Sequence, residues 1–140
     1  MLKSTKKGFT IIEVVIVLVI AAIIMLMVFL VVPALQRSQR DSRRQNDARR
    51  FLAAAEQFAS NNDGTLPTDI DQIIPAYINE AFDDPTTGTR YDVTFSRGDA
   101  GAAGEMFFGS QAVCEGQNMV DGNGTAVSVF QENGGRVCIN

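Results

Sequence analysis

The sequence contains no histidine and no tryptophan, and only two of its 140 residues are cysteines. A catalytic centre with a histidine base and a metal site with histidine ligands are therefore excluded for this chain. The sequence also lacks a G-x-S-x-G nucleophile motif. A membrane-anchored enzyme is thus only a distant alternative, and we expect no catalytic activity, no cofactor and no metal site.

Charge is strongly segregated along the chain. Residues 1–8 carry three lysines, residues 36–50 carry six arginines against two aspartates, and residues 51–140 carry three arginines against thirteen acids. The acidic last part disfavours nucleic-acid binding as the main role, so DNA is a weak candidate partner, confined to residues 36–50 and testable at Arg43 and Arg44. Residues 36–50 have no apolar stripe, which predicts either a solvated neck or a neck lying against acidic faces of neighbouring copies.

One long hydrophobic run dominates the N-terminal part. From Val14 to Val32 nineteen consecutive residues are apolar. As a helix, such a run is about 28 Å long, which matches the thickness of a bilayer core. The run is too long for a secretory signal peptide, although residues 32–34 loosely resemble a cleavage site. A plain membrane anchor is the other alternative, and it leaves Glu13 unexplained because an ionised side chain in a membrane helix is costly.

Glu13 acquires a role if the chain is cut between Gly8 and Phe9. The cut creates a free α-amine four residues before Glu13, and residues i and i+4 lie on one face of a helix. An amine and a carboxylate in a medium of low dielectric each need a partner, either in the same chain or on a neighbouring copy. Pairing between copies would make the carboxylate a signal for assembly.

The stretch KKGFTIIE, residues 6–13, resembles the processing site of type IV prepilins and of the related pseudopilins. In that family a membrane aspartic peptidase removes a short basic leader after the glycine and methylates the new N-terminal phenylalanine. The resemblance therefore implies cleavage after Gly8, methylation of Phe9 and a role for Glu13 in filament assembly.

Pilins of this type usually have a helix-breaking proline within the apolar segment. Here the candidate is Pro33, at the end of the run, so we expect a kink or a melted turn over residues 29–33. By lysine and arginine count the C-terminal flank of the run outnumbers the leader. The resemblance nevertheless implies a single-pass precursor in the inner membrane, with its N-terminus in the cytoplasm, that later joins an extracellular pilus.

The predicted fold class is α+β, with a long N-terminal helix packed on a small antiparallel β-sheet, as in pilins. We expect a leader at residues 1–8, a transmembrane half of the helix at 9–35, an amphipathic half at 36–60, and a globular body at 61–140. The amphipathic half is indicated by apolar residues at steps of three and four, which predict a face covered by the sheet: Ala48, Phe51, Leu52, Ala55, Phe58 and Ala59.

Within the body, turn residues and alternation predict one short helix and several strands. Thr68 and Asp71 resemble a capping box, so the helix is expected over residues 69–74. The stretches 61–74 and 83–95 also resemble the loop region of major pseudopilins. The remaining predicted elements are strands at 90–96 and 105–113, the second with a break at Gly109, a turn at 121–124, and a hairpin with strands 125–131 and 136–139 around residues 132–135.

Cys114 and Cys138 would be reduced thiols in the cytosol and a plausible disulfide beyond a membrane, with two buried free thiols as the alternative. In pilins a disulfide near the C-terminus commonly fastens a surface region of the body, so the resemblance implies that this pair is bridged. Residues 121–125 match a weak calcium pattern and contain a glycosylation sequon, but turn chemistry explains the same residues.

The predicted function is therefore structural. The resemblance implies a type IV pilin that forms a helical homo-oligomer through residues 9–32, with Glu13 setting the register. It also implies a prepilin peptidase, an assembly platform in the inner membrane and an extension ATPase as partners. Motility, adhesion and DNA uptake are roles of such filaments. The alternative is a type II secretion pseudopilin, which the Asp-Pro turn favours and the cysteine pair disfavours.

Overall fold

A computed structural model describes residues 8–140. The chain divides between Gln36 and Arg37 into two compact units. The predicted leader lies outside the described residues, apart from Gly8. The elements, in chain order, are helix α1 (Ile11–Asn61), a 3₁₀ helix (Ile70–Gln72), and strands β1 (Asp92–Thr94), β2 (Glu105–Glu115), β3 (Asn118–Phe130) and β4 (Arg136–Ile139).

The described part of the first unit consists mainly of the apolar portion of α1. Its large side chains are exposed, from Phe9 at 89% to Val32 at 42%. Helix α1 runs through Pro33 without interruption. The melted turn expected at residues 29–33 is therefore absent, and a kink at Pro33 stays a prediction.

The second unit contains a four-stranded sheet with the order β1-β2-β3-β4. The pairs β2–β3 and β3–β4 are antiparallel, as expected, but β1 pairs with β2 in parallel. The predicted α+β class, a long helix packed on a small sheet, is confirmed, but the sheet is mixed rather than antiparallel throughout. The reason is the connection over residues 95–104, which crosses the sheet before entering β2: the Ala100 amide donates to the hydroxyl of Ser128 on β3.

The first face of the sheet packs on α1 and forms the main core. The predicted helix face is confirmed at its centre, where Ala48, Phe51 and Ala55 have no exposed surface. Phe51 lies with its ring 5.6 Å from that of Phe108 on β2 and 5.7 Å from that of Phe82. Aromatic pairs at such distances add to the free energy of area burial. This contact fixes the sheet on the second half of α1.

The second face of the sheet is covered by the end of the β2–β3 hairpin, which folds back on it. The register shifts at Gln111, which has a positive φ of 53°. Beyond this bulge, Met119 packs over Gly109, where any Cβ would collide with the Met119 sulfur. The strand break predicted at Gly109 is therefore misplaced, since Gly109 pairs with Ala126. The turn predicted at 121–124 is also wrong, because those residues lie within β3.

Smaller differences concern element ends. The 3₁₀ helix is shorter than the helix expected at 69–74, and its capping box uses Asp69 and Gln72 rather than Thr68 and Asp71. Strand β1 is likewise shorter than the predicted strand 90–96. The hairpin around residues 132–135 is confirmed, with the Gln131 amide donating to the Gly135 carbonyl.

Candidate functional site

The residues that the sequence singles out for processing and assembly lie at the start of α1. Gly8, Phe9 and Thr10 precede the first helical residue and are exposed. The Thr10 carbonyl accepts the first helical hydrogen bond from the Val14 amide, at 3.3 Å. Thr10 is therefore the residue that caps the N-terminus of α1.

Glu13 completes a capping box with Thr10. The amide and the hydroxyl of Thr10 both donate to Glu13 Oε2, each at 2.9 Å, and the Glu13 amide donates to Thr10 Oγ1 at 3.4 Å. These bonds satisfy backbone groups that a helix start leaves unpaired. Sequence reasoning missed this role, although the spacing Thr-x-x-Glu is its signal. Both bonds to the Glu13 carboxylate use Oε2, so within residues 8–140 Oε1 is free to accept a bond from another group.

An uncovered apolar surface follows Glu13. Within the described residues, one helix is long and apolar enough to cross a membrane: its most apolar window has a mean hydropathy of 3.6 and is not buried at all. Burying such a surface contributes about 25 cal/mol per Å² of apolar area. The first unit therefore needs lipid or other apolar helices around it.

The composition and the spacing of these residues match a known pattern. Residues 3–29 match the prokaryotic N-terminal methylation motif, which is found in type IV pilins and pseudopilins. This chain carries a pilin-type methylation motif. Comparison with curated proteins and with solved structures gave no significant match.

The motif implies a type IV pilin or a pseudopilin-like protein. It marks structural subunits, which are not enzymes, and it implies processing by a prepilin peptidase and assembly into a pilus-like polymer. The long apolar helix and the motif agree with a membrane-anchored precursor that is later assembled in a surface filament. The motif is common to pilins and pseudopilins, so the body must supply any distinction between them.

The second unit contains a buried charge network centred on Arg44 of α1. The guanidinium donates to Asp84 at 2.6 Å, to Asp41 at 2.9 Å and to the Thr86 hydroxyl at 2.6 Å. The side chains of Arg44 and Asp84 have no exposed surface. Asp84 also accepts bonds from the amides of Thr86 and Thr87, so its turn is tied to α1 through the ion pair.

Arg40 fastens a second segment to the same helix. Its guanidinium makes two bonds, of 2.6 and 2.7 Å, to the carboxylate of Glu132 in the β3–β4 turn. Both interpretations of residues 36–50 are therefore wrong for Arg44, whose side chain is buried. The Arg40 side chain is 32% exposed, but it is already paired with Glu132 of the same chain. The DNA test at Arg44 is also unsuitable, because that side chain is buried. The sequence carries no local signal for these contacts, which join residues 40 to 92 positions apart.

The network shifts the acidity of its carboxylates. Hydrogen bonds from Arg40 and then from Thr86 lower the pKa of Glu132 to about 2. Burial raises the pKa of Asp84, but the Arg44 guanidinium and two backbone amides outweigh it and the net pKa is lowered. Both carboxylates therefore stay ionised below the pH at which they would take up protons in the unfolded chain.

Acidification is expected to lower the melting temperature of the body between about pH 5 and pH 2. The pKa of Glu132 is 4.5 when unperturbed and about 2 in the folded body, so over this range the unfolded state binds more protons. The stabilisation is complete above the unfolded pKa and is lost as the pH falls through the folded pKa. Melting curves of the detergent-solubilised chain across this pH range measure the effect.

Glu132→Gln is the control for this titration. It removes the titrating group, so we expect a lower melting temperature at neutral pH and a shallower decline in acid. Asp47 acts in the opposite sense, since its burial raises its pKa. A Glu132→Gln curve parallel to that of the wild type would contradict the assignment.

Cys114 and Cys138 are joined by a disulfide in the structure, with a Cα–Cα distance of 5.5 Å. The bond joins the folded-back end of the β2–β3 hairpin to β4. The Met119 amide, which donates to Asp99 at 3.0 Å, holds the same end of the hairpin. Closing the loop between Cys114 and Cys138 stabilises the folded state by about 3.5 kcal/mol in the chain-entropy model. The apolar cluster beneath the hairpin is small. The disulfide therefore supplies a large part of the free energy that keeps the hairpin end folded back.

Proposed function

We propose that this protein is a type IV pilin. The chain is cleaved after Gly8, methylated at Phe9 and polymerised into an extracellular filament through residues 9–32. The observation that carries the proposal is the start of α1: a capped helix whose Glu13 keeps one carboxylate oxygen free, followed by an apolar surface with no cover within residues 8–140. The free amine at Phe9 is complementary to Glu13 of another copy, and the uncovered apolar helix is complementary to the same helix of another copy.

Assembly follows from the cost of leaving these groups unpaired. In the membrane the apolar surface is covered by lipid, but Glu13 has no cationic partner there. In the filament, the apolar surfaces of neighbouring copies cover one another, and the Phe9 amine of one copy pairs with Glu13 of the next. Attraction between the two charges is strong in such a medium of low dielectric. The assembly platform and ATPase, as further proposed partners, would move each copy from one environment to the other.

The body supports the choice of a pilin over a pseudopilin. The disulfide between Cys114 and Cys138 fastens the C-terminal part of the body, a feature common among pilins. Asp84 and Glu132 already have guanidinium partners, so these carboxylates are stabilised without a cation from solution. The turn at Asp84-Pro85 is the observation that favours a type II secretion pseudopilin as the second candidate.

The test is the intact mass and N-terminal sequence of the protein, taken separately from sheared filaments and from the envelope of the cells that make it. We expect a chain that begins at Phe9, carries one added methyl group and is abundant in the filaments. Processed chain found only in the envelope would instead support the pseudopilin. A chain beginning at Met1, or at Leu35 after signal-peptide cleavage, would refute both.

A further inference from the structure

Residues 36–39 form one turn of α1 that is polar and exposed on every side, and we call it the polar turn. Four consecutive residues point in directions about 100° apart around a helix, so together they cover its whole circumference. All four are exposed: Gln36, Arg37, Ser38 and Gln39. Packing against the rest of the second unit begins at the next residue, Arg40, whose side chain is 32% exposed. Within residues 8–140 nothing therefore covers the polar turn.

Arg37 supplies the charge of the polar turn. Among the residues that the structure describes, its guanidinium makes no hydrogen bond and has no carboxylate within 4.0 Å. The next arginine along the helix, Arg40, is held by Glu132. The sequence has no acidic residue between Glu13 and Asp41. Arg37 thus presents an uncompensated positive charge on a segment that contains no acid.

The polar turn follows the apolar run at the distance where lipid headgroups lie. Arg37 comes about 3 Å after Leu35 and about 7.5 Å after Val32 along a helix. The headgroup layer on one side of a bilayer core is about 5–7 Å thick. When the apolar run spans the core, Arg37 therefore lies at the level of the headgroup phosphates.

We infer that Arg37 binds the phosphate of an anionic phospholipid where the membrane-spanning segment ends and the second unit begins. A guanidinium is a planar fork that donates two parallel hydrogen bonds to a phosphate. The hydroxyl and amide groups of the polar turn can donate to the same headgroup or to its neighbours. An anionic headgroup is preferred to a zwitterionic one, because the latter brings its own cation to the phosphate. The inference requires insertion of the apolar run, but it does not require filament assembly.

The absence of tryptophan from the sequence allows a direct test. Leu35→Trp places a single fluorophore beside the polar turn of the full-length chain, which is then reconstituted in nanodiscs with one copy each. Phosphatidylglycerol and phosphatidylcholine with brominated acyl chains quench this fluorescence according to how often each lipid occupies the neighbouring positions. We expect about a fivefold preference for phosphatidylglycerol, which is the effect of one arginine near an anionic surface.

Three further variants in the Leu35→Trp background assign the preference. Arg37→Gln should reduce it to about one, whereas Arg37→Lys keeps the charge and should retain most of it. The matched control is Arg49→Gln, which removes an exposed arginine about 18 Å further along the helix and should leave the preference unchanged. The melting temperature of each variant reports folding of the second unit.

The outcomes separate this inference from the proposed function. An equal preference with and without Arg37 would overturn the inference, and so would the lack of any preference in Leu35→Trp itself. Fluorescence that neither brominated lipid quenches would show that the apolar run does not insert, which would remove the inference and the membrane-anchored precursor together. A fivefold preference that depends on Arg37, in a chain that forms no filaments in its own cells, would support the lipid site and refute the pilin.

Discussion

Replacing Glu13 with alanine is expected to abolish filaments while leaving cleavage after Gly8 and methylation of Phe9 intact. In our proposal the peptidase acts on the leader and on Phe9, and neither step involves the Glu13 carboxylate. Assembly does depend on it in our proposal. Two unit charges about 4 Å apart at an effective dielectric of about 20 attract with about 4 kcal/mol. Loss of that attraction lowers the association constant of a subunit about a thousandfold. Intact mass and the yield of sheared filaments measure the two effects.

Glu13→Gln is the control that separates charge from helix capping. Glutamine can accept the bonds from the amide and hydroxyl of Thr10 as the third residue of a capping box, and the structure shows that these bonds use a single oxygen. It cannot carry the negative charge. We expect Glu13→Gln to be processed and, like the alanine variant, unable to assemble. Normal filaments from Glu13→Gln would show that Glu13 is a capping residue and that charge pairing does not drive assembly.

Replacing Arg44 with methionine is expected to destabilise the body by about 3–5 kcal/mol, because it leaves a buried carboxylate without its partner. Asp84 is fully buried and its ion pair with Arg44 measures 2.6 Å. Methionine fills part of the space of the arginine stem but supplies no donor for Asp84 or Asp41. Since whole domains are stable by only about 5–15 kcal/mol, the effect is a large share of the total. Urea unfolding of the detergent-solubilised chain, followed by circular dichroism, measures it.

Two variants show whether the buried charge is the cause. Arg43→Met makes the same change one residue earlier, at a side chain that is 54% exposed and lies 3.9 Å from Asp47, and should shift stability by no more than about 1 kcal/mol. Asp84→Asn added to Arg44→Met removes the stranded charge and keeps Oδ1, which accepts the amides of Thr86 and Thr87. The double variant should therefore be more stable than Arg44→Met alone. A cost below about 1 kcal/mol for Arg44→Met would contradict the network's role.

Features set by neighbours in the sequence were predictable. The residues of the methylation motif, the apolar run and the helical face at Ala48, Phe51 and Ala55 each depend on short-range spacing, and the structure agrees with that helical face. The hairpin around residues 132–135 was predictable for the same reason, since turn residues favour a tight reversal wherever they stand between two strands. The parallel pairing of β1 was not, because its partner is chosen by a crossover rather than by a turn.

The main errors came from residues whose partners are distant. Residues 121–124 are of types that favour turns, yet they lie within β3. Their glycines leave space where the hairpin folds back, since a Cβ on Gly122 would collide with the Val113 side chain. The segment with Arg40 and Arg44 was predicted to be a polar neck. Nothing nearby in the sequence shows that Glu132 will pair with Arg40 and Asp84 with Arg44.

The sequence by itself determined the long helix, its apolar half, and the group of residues from Gly8 to Glu13 that processing and assembly would use. Those properties depend on hydrophobicity and on contacts within one helical turn. Only the tertiary structure decided which arginines of the second unit are paired in its interior, as Arg44 is, and which remain on its surface, as Arg49 does. The physical reason is that an ion pair is made where the packing of helix and sheet brings two side chains within a few ångströms, and that distance depends on the whole fold.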